Sequence, residues 1–143
     1  MKYLSIKAFD IPDAWIQIVE KIYNEEDVFR VEFGSEKSLT KKIALDLEIE
    51  RPENRRLVHK DSPFTVEYIG EKHEGEGYMD IQGINRLHFI VYFRSRDAYG
   101  GFPANVTGLQ LLKEYMANEV GVEPGKTIVF AKDIHLYGRQ FNW

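Results

Sequence analysis

The chain has 143 residues, of which 43% are hydrophobic and 29% are charged, and its formal net charge is −4. These values are typical of an ordinary globular protein, and we expect one domain over residues 1–143. The negative charge and the lack of a Lys/Arg block argue against nucleic-acid binding. No apolar run approaches the roughly 20 residues of a membrane span, and the first residues lack a signal-peptide core, so we expect a cytoplasmic protein.

The sequence contains no cysteine. Disulfides, thiolate metal sites and a thiol nucleophile are therefore excluded, and we expect no metal site. Because the net charge is negative, a bound phosphate group would have to be met by a local cluster of arginines rather than by a basic surface.

The first half of the chain predicts a helix followed by two strands. Residues 12–23 place apolar side chains at intervals of three and four, with Asp10 as the N-cap and Pro12 in the first turn, and this pattern predicts a helix. Residues 28–33 and 43–49 alternate between apolar and polar types, which is typical of strands with one buried face.

A long connection and a hairpin are predicted next. Residues 51–77 are rich in charge, Pro and Gly, have no sustained period, and predict an irregular connection. Residues 78–82 and 86–93 predict a β-hairpin about the turn 83–85. Four alternating positions of its second strand would face the core, namely Leu87, Phe89, Val91 and Phe93.

The last third predicts a helix and a strand. The helix would run from about residue 106 to residue 120, ended by Gly121 and the following Pro-Gly pair. Its predicted buried stripe consists of Leu109, Leu112, Met116 and Val120. A strand over residues 127–131 would follow. The whole pattern predicts the α+β class, with a mixed or mostly antiparallel sheet covered by two or three helices.

A group of polar and glycine residues follows the predicted hairpin. Arg94 and Ser95 combine a planar guanidinium with a hydroxyl, which suits a phosphate or carboxylate, although a surface arginine at a strand end is the alternative. Asp97 would cap the turn that follows. Gly101 would allow close approach of a ligand to the backbone, or would simply belong to a turn.

Three further residues are candidates for ligand contacts. The amide of Asn105 offers one acceptor and two donors, which match the N3–H/O4 edge of uracil, and the alternative is a helix N-cap. His135 and Tyr137 are two residues apart, so on an extended segment they point to the same side. Together they would hold a ribose hydroxyl, and the alternative is packing at a sheet edge.

These residues and their spacing resemble the thymidylate synthases and the related deoxycytidylate hydroxymethylases, which carry an RSxD…GxPxN block and a later HxY. Gly101 and Asn105 follow Asp97 by four and eight residues, and His135 follows Asn105 by thirty, as in that family. The first half of the chain is most similar to the short archaeal-type thymidylate synthases. The resemblance implies a thymidylate synthase-like α+β fold.

The resemblance also implies a ligand and a role for each residue of the two motifs. In that family the Arg and Ser bind the nucleotide 5′-phosphate, the Asp lies near the folate, the Asn reads the pyrimidine, and the HxY pair holds the 3′-hydroxyl. These roles would fall on Arg94, Ser95, Asp97, Asn105, His135 and Tyr137. The implied ligand is dUMP, which is favoured over dCMP. The implied protein partner is a second copy of the chain, which would associate through the sheet to form a homodimer. The implied one-carbon donor is methylene-tetrahydrofolate or an archaeal pterin analogue.

The chain departs from the family in its middle, where the family carries its arginine pair and its nucleophilic cysteine. Arg55 and Arg56 would replace that arginine pair, and His73 would act as a general base or else would simply be solvated. Either this chain lacks the loop that carries the thiol, or it is a nucleotide-binding relative that transfers no methyl group. The alternatives to a thymidylate synthase are a non-catalytic nucleotide sensor, a hydroxymethylase-like protein and an α+β domain without a ligand.

Overall fold

The computed structural model of the chain describes residues 1–33, 36–55, 57, 59–61, 63, 80–81 and 86–141. Its helices and strands are, in chain order, β1 (Lys2–Ala8), α1 (Ile11–Tyr23), β2 (Phe29–Phe33), β3 (Glu36–Ile49), β4 (Asp80–Ile81), β5 (Arg86–Phe93), β6 (Arg96–Asp97), α2 (Gly101–Val120), β7 (Glu123–Tyr137) and α3 (Gly138–Phe141). No helix within these ranges is long and apolar enough to cross a membrane.

The strands form one mixed sheet in the order β1-β3-β7-β5-β4, with β2 beside the first part of β3 and β6 beside the end of β7. The central pair, β3 and β7, is antiparallel, whereas β1 is parallel to β3 and β5 is parallel to β7. Apolar side chains of α1 and α2 pack with those of the sheet in one core. This arrangement confirms the predicted α+β class with a mixed sheet.

The helix α1 forms where the periodic pattern predicted it. Asp10 is its N-cap and accepts a hydrogen bond from the backbone N–H of Asp13 at 3.0 Å, and Pro12 lies in the first turn. Fully burying an aliphatic side chain stabilises a fold by about 1.5–3 kcal/mol, so the apolar face holds this helix to the sheet. The buried residues of that face are Ile11, Pro12, Ala14, Trp15, Ile18 and Ile22.

The helix α2 begins earlier than the sequence predicted. A start at residue 106 was wrong, because the backbone N–H groups of Gly100 and Gly101 donate to the Asp97 carboxylate and the helix begins directly there. Pro103 fits the first turn, where a backbone N–H has no partner within the helix. Asn105 is therefore the fifth residue of α2 and not its N-cap, which is Gly100.

The buried face of α2 also differs from the predicted stripe. Leu109 is buried, but Leu112 is 40% exposed and Val120 is 61% exposed. Gln110 and Lys113 are buried instead. A lysine can occupy this position because its ammonium group reaches acceptors on β7 while its stem packs among apolar side chains.

The remaining strand predictions were confirmed in part. The predicted hairpin forms, with β4 antiparallel to β5, and its turn at 83–85 lies outside the described residues. The strand predicted at 127–131 extends over all of β7, and the Pro-Gly pair expected to end α2 lies inside it. Gly121 does end α2, with a left-handed φ of 83°. The four residues predicted to face the core from β5, Leu87, Phe89, Val91 and Phe93, are buried.

Other segments differ in extent from the predictions. β3 begins at Glu36, ahead of the predicted 43–49, and β1 was not predicted at all. Of the connection predicted at 51–77, the structure describes 51–55, 57, 59–61 and 63, and these residues contain no helix or strand.

Candidate functional site

Two segments that are far apart in sequence meet at the end of β7. β6 pairs in parallel with β7, and this register places Asp97 beside His135. The backbone N–H of Ala98 donates to the carbonyl of His135 at 2.8 Å. The segment that starts at Arg94 and the segment that ends at Tyr137 therefore lie side by side in one sheet.

A β-bulge in β7 sets the direction of the His135 and Tyr137 side chains. Ile43 pairs with Ile134, and the next register pair is Leu45 with Ala131. Between these two pairs β3 has one residue, whereas β7 has two, residues 132–133. Ala131 and Ile134, which flank the bulge, both face the core. If a regular alternation continued from Ala131 through residues 132–133, it would direct His135 and Tyr137 into the core as well. The bulge turns them to the outer face of the sheet, the face opposite α1 and α2.

A small cavity of about 70 Å³ lies on this outer face. It is too small for a whole nucleotide, because pockets for ligands of that size usually measure about 300–1,000 Å³, but it would hold a phosphate group or a sugar edge. Three of the predicted site residues, Ser95, His135 and Tyr137, share its wall. The other lining residues come from β2, β3 and β7, and are Val31, Thr40, Lys42 and Asp133.

His135 is held from two directions. Its Nδ1 lies 2.8 Å from Oδ1 of Asp133, and the ring of Tyr137 meets its ring edge-on at a centroid distance of 4.9 Å. Lys42 Nζ lies 3.5 Å from Oδ2 of Asp133. Burial would raise the pKa of Asp133, but the hydrogen bond and charge of His135, together with Lys42, outweigh burial and hold this pKa below its ordinary value. Asp133 is therefore a carboxylate at neutral pH and accepts from Nδ1–H of His135.

Asp97 organises the turn before α2. Its carboxylate accepts hydrogen bonds from the backbone N–H groups of Tyr99, Gly100 and Gly101 at 3.2, 3.1 and 3.3 Å. This confirms the prediction that Asp97 caps the turn. Burial and then the charge of Asp97 raise the pKa of the Tyr137 hydroxyl. The phenol therefore stays protonated at neutral pH and can donate a hydrogen bond.

Three other predicted site residues are not among the described lining residues of the cavity. Arg94 is exposed and follows β5 directly. Gly101 is the first residue of α2, and Asn105 is half-buried in the same helix. Their roles in ligand binding stay predictions.

Arg55 makes a structural ion pair. Its Nη1 and Nη2 donate to the two carboxylate oxygens of Glu114 at 3.3 and 2.5 Å, which ties the segment after β3 to α2. Arg56 and His73 lie outside the described residues. The predicted phosphate role of the arginine pair and the predicted role of His73 as a base stay predictions.

Lys42 and Asp133 were not predicted as site residues. Asp133 precedes His135 by two positions, so the strand spacing that paired His135 with Tyr137 could have included it. No local signal marks Lys42, because only the register of β3 with β7 places it opposite His135.

Comparisons with known proteins show the family of the chain. The family profile described as thymidylate synthase matches residues 62–143, more than half of the chain. The chain belongs to the thymidylate synthase family. It is 40% identical over 57 residues to a protein named "Putative thymidylate synthase" of Methanosarcina mazei, covering 40% of this chain and 26% of that protein. It is 32% identical over 101 residues to the thymidylate synthase of Symbiobacterium thermophilum, covering 68% of this chain and 35% of that protein.

The chain thus spans about a quarter and about a third of the lengths of these two thymidylate synthase relatives. The family match includes the whole stretch from Arg94 to Tyr137, so both motifs of the site lie inside it. Membership of the family confirms the predicted resemblance and the thymidylate synthase-like α+β fold.

The cavity of about 70 Å³ is smaller than a folate or a pterin, so a one-carbon donor of that size would extend beyond it. A larger cavity of about 320 Å³ lies near the start of β7, away from His135, and is lined by Lys7, Ala8, Phe9, Glu48, Glu50 and Lys126. Within the described ranges, no group of three or more His, Asp or Glu side chains could hold a metal ion.

Proposed function

We propose that the outer-face cavity and its surroundings bind a pyrimidine deoxynucleotide of the dUMP type. The observation that carries this proposal is the direct pairing of β6 with the end of β7, with Ser95, His135 and Tyr137 on the wall of one cavity. The resemblance to thymidylate synthases implies that these same segments contact the phosphate and the sugar of the nucleotide.

The phosphate would be bound by Arg94 and Ser95. An exposed guanidinium can bind a phosphate through two parallel hydrogen bonds, and the Ser95 hydroxyl adds a third donor from the cavity wall. At the other end of the ligand, the amide of Asn105 would accept from N3–H and donate to O4 of a uracil ring.

The family reaction is methylation of dUMP at C5, with methylene-tetrahydrofolate or an archaeal pterin analogue as the donor. C5 of uracil becomes nucleophilic enough only after a thiolate adds to C6 and forms an enolate. The chain contains no cysteine. We therefore propose that this chain binds the nucleotide and does not by itself transfer a methyl group.

Calorimetric titration of the protein with dUMP tests the proposal, with dCMP and uridine as comparison ligands. We expect dUMP to bind more tightly than uridine, because only dUMP carries a phosphate. Arg94→Ala should weaken dUMP binding by at least about 10-fold, since hydrogen bonds to charged groups contribute about 1.5–3 kcal/mol, and should leave uridine binding unchanged. Arg86→Ala, at the exposed opposite end of β5, is the matched control.

Two results would contradict the proposal. Equal dUMP affinities for the wild type and Arg94→Ala would reject the phosphate role of this arginine. The absence of dUMP binding by the wild-type protein would reject nucleotide binding itself.

We also propose that two copies of the chain associate through the outer face of the sheet. Tyr3, Tyr92 and Phe130 are 65%, 42% and 44% exposed, and Tyr92 and Phe130 are neighbours in the register of β5 and β7. Large exposed aromatic side chains on a sheet face mark association surfaces. Light scattering should give a dimer mass for the wild type and a monomer mass for Phe130→Glu, whereas Tyr115→Glu on α2 should stay dimeric. A monomeric wild type would reject this interface.

A further inference from the structure

We propose that Asp133 is a positioning residue of the site, which holds His135 in the tautomer whose Nε2 accepts a hydrogen bond from a hydroxyl group of the ligand. The identity of that ligand rests on the nucleotide binding proposed above. The orientation of the imidazole ring does not rest on it, because it follows from contacts within the chain.

The contact between Asp133 and His135 is short and directional. Oδ1 of the carboxylate lies 2.8 Å from Nδ1 of the ring, a normal distance for a hydrogen bond from N–H to a carboxylate. A carboxylate can only accept, so the proton lies on Nδ1. Nε2 is then the ring nitrogen that carries a lone pair in neutral His135.

The bulge in β7 places this contact on the outer face of the sheet. Asp133 follows the shift in alternation, so its side chain lies on the outer face together with His135 and Tyr137. Lys42 reaches the second carboxylate oxygen from β3, the partner strand opposite His135. The carboxylate is therefore fixed between two strands, and the edge-on ring of Tyr137 limits rotation of the imidazole from the other side.

This arrangement has a chemical consequence for the ligand. His135 lines the cavity, and in its neutral form the Nε2 atom offers a hydrogen-bond acceptor to a ligand. A hydroxyl group of the ligand can donate to this acceptor, whereas a hydrogen atom in its place cannot. The site would therefore distinguish a sugar hydroxyl from a hydrogen atom, and Asp133 would act on this discrimination only through His135.

Nitrogen-15 NMR of the histidine rings tests the orientation directly. For the neutral ring we expect His135 of the wild type in the Nδ1–H tautomer, and in Asp133→Ala we expect it to change to the Nε2–H tautomer that imidazole prefers in water. Glu123→Gln, which removes an exposed acidic group at the other end of β7, is the matched control and should leave the tautomer unchanged.

Calorimetry with two nucleotides tests the consequence. Asp133→Ala should weaken binding of dUMP by about 3- to 10-fold, the effect expected for one hydrogen bond. It should leave binding of 2′,3′-dideoxyuridine monophosphate unchanged, because that nucleotide lacks the 3′-hydroxyl. The double variant with His135→Ala should bind dUMP no more weakly than His135→Ala alone, because Asp133 acts through the ring.

Each contrary outcome is decisive. An Nε2–H tautomer in the wild type overturns the inference without any variant, and so does an unchanged tautomer in Asp133→Ala. An equal loss of affinity for both nucleotides would show a general structural effect instead of positioning. If the wild type binds neither nucleotide, the proposed function fails and the positioning of His135 for a ligand fails with it. The tautomer spectra would then still report separately whether Asp133 orients the ring.

Discussion

Lys113 allows a specific prediction of how the stability of the fold depends on pH. Its side chain is fully buried on the face of α2 that packs against the sheet. Its Nζ donates to the carbonyls of Gly125 and Lys126 at 2.8 and 3.0 Å and to Oγ1 of Thr127 at 2.7 Å. The ring of Phe89 lies 5.5 Å from the ammonium nitrogen. Burial lowers the pKa of Lys113 from 10.5 to about 7.

The direction of the pH effect follows from this pKa. Above pH 7 the folded chain releases the Lys113 proton, whereas the unfolded chain keeps it until about pH 10.5. The unfolded state then binds more protons, so the free energy of unfolding should rise with pH. At about 1.4 kcal/mol for each pH unit, the rise between pH 7 and pH 9 has an upper limit of about 3 kcal/mol.

We expect a smaller rise, of about 2 kcal/mol, because three acceptors surround the nitrogen and the neutral amine has only two N–H groups to donate. Urea unfolding followed by circular dichroism at pH 7, 8 and 9 would measure it for the wild type and for Lys113→Met. The variant should lack the rise. Lys132→Met, at an exposed position of β7, is the control for loss of a lysine charge. Parallel pH dependences for the wild type and Lys113→Met would refute the reasoning.

Three further predictions concern the packing of β7 and α2. Gly125→Ala should destabilise the fold by about 1–3 kcal/mol in urea unfolding, because its Cβ would lie 2.3 Å from Nδ1 of His88. Gln110→Leu should raise the thermal midpoint and stabilise by about 1–2 kcal/mol, since neither amide atom of this buried side chain has a hydrogen-bond partner among the described residues; a lower midpoint would show that the amide is satisfied. Deletion of Lys132 should remove the bulge and leave one residue on each strand between the neighbouring register pairs, so Ile134 would still face the core and His135 would still face outward. We therefore expect this deletion to cost less than about 2 kcal/mol in urea unfolding and to keep dUMP binding; loss of dUMP binding would show that the bulge residue itself shapes the site.

The sequence predicted the elements whose signals are local. The periodic apolar face and the Asp10 cap identified α1, and alternation identified β2, the centre of β3 and β5. β1 has no such signal, because few of its residues are buried and it depends on parallel pairing with β3, a partner far along the chain. Element boundaries that depend on a single side-chain contact, such as the Asp97 carboxylate at the start of α2, were also missed.

The face of α2 was predicted wrongly for a physical reason. Periodicity ranks apolar residues as core, and on that basis Leu112 was preferred to Lys113. The structure reverses this choice, because the start of β7 supplies two carbonyls and a hydroxyl that satisfy a buried ammonium. Such acceptors are known only when the tertiary register of α2 and β7 is known.

The candidate site was likewise predicted in part from local signals and in part not. Ser95, His135 and Tyr137 were identified through motif spacing, and they share one cavity wall. Asp133 and Lys42 complete that wall, and neither follows from the motifs. The predicted contacts of Arg94 and Asn105 concern a ligand, so the geometry of the chain alone does not decide them.

The outward direction of the site residues is a property of the whole length of β7. This strand pairs with β3 on one edge and with β5 and then β6 on the other, so a slip of one residue would reverse every side chain between sheet faces. Its beginning is fixed by Lys113 and by the close approach of His88 to Gly125. Its end presents His135 outward only because the bulge reverses the alternation after that fixed start. The contacts of Lys113 and His88 at the beginning of β7 and the outward direction of His135 at its end therefore both depend on the register of β7 in the sheet.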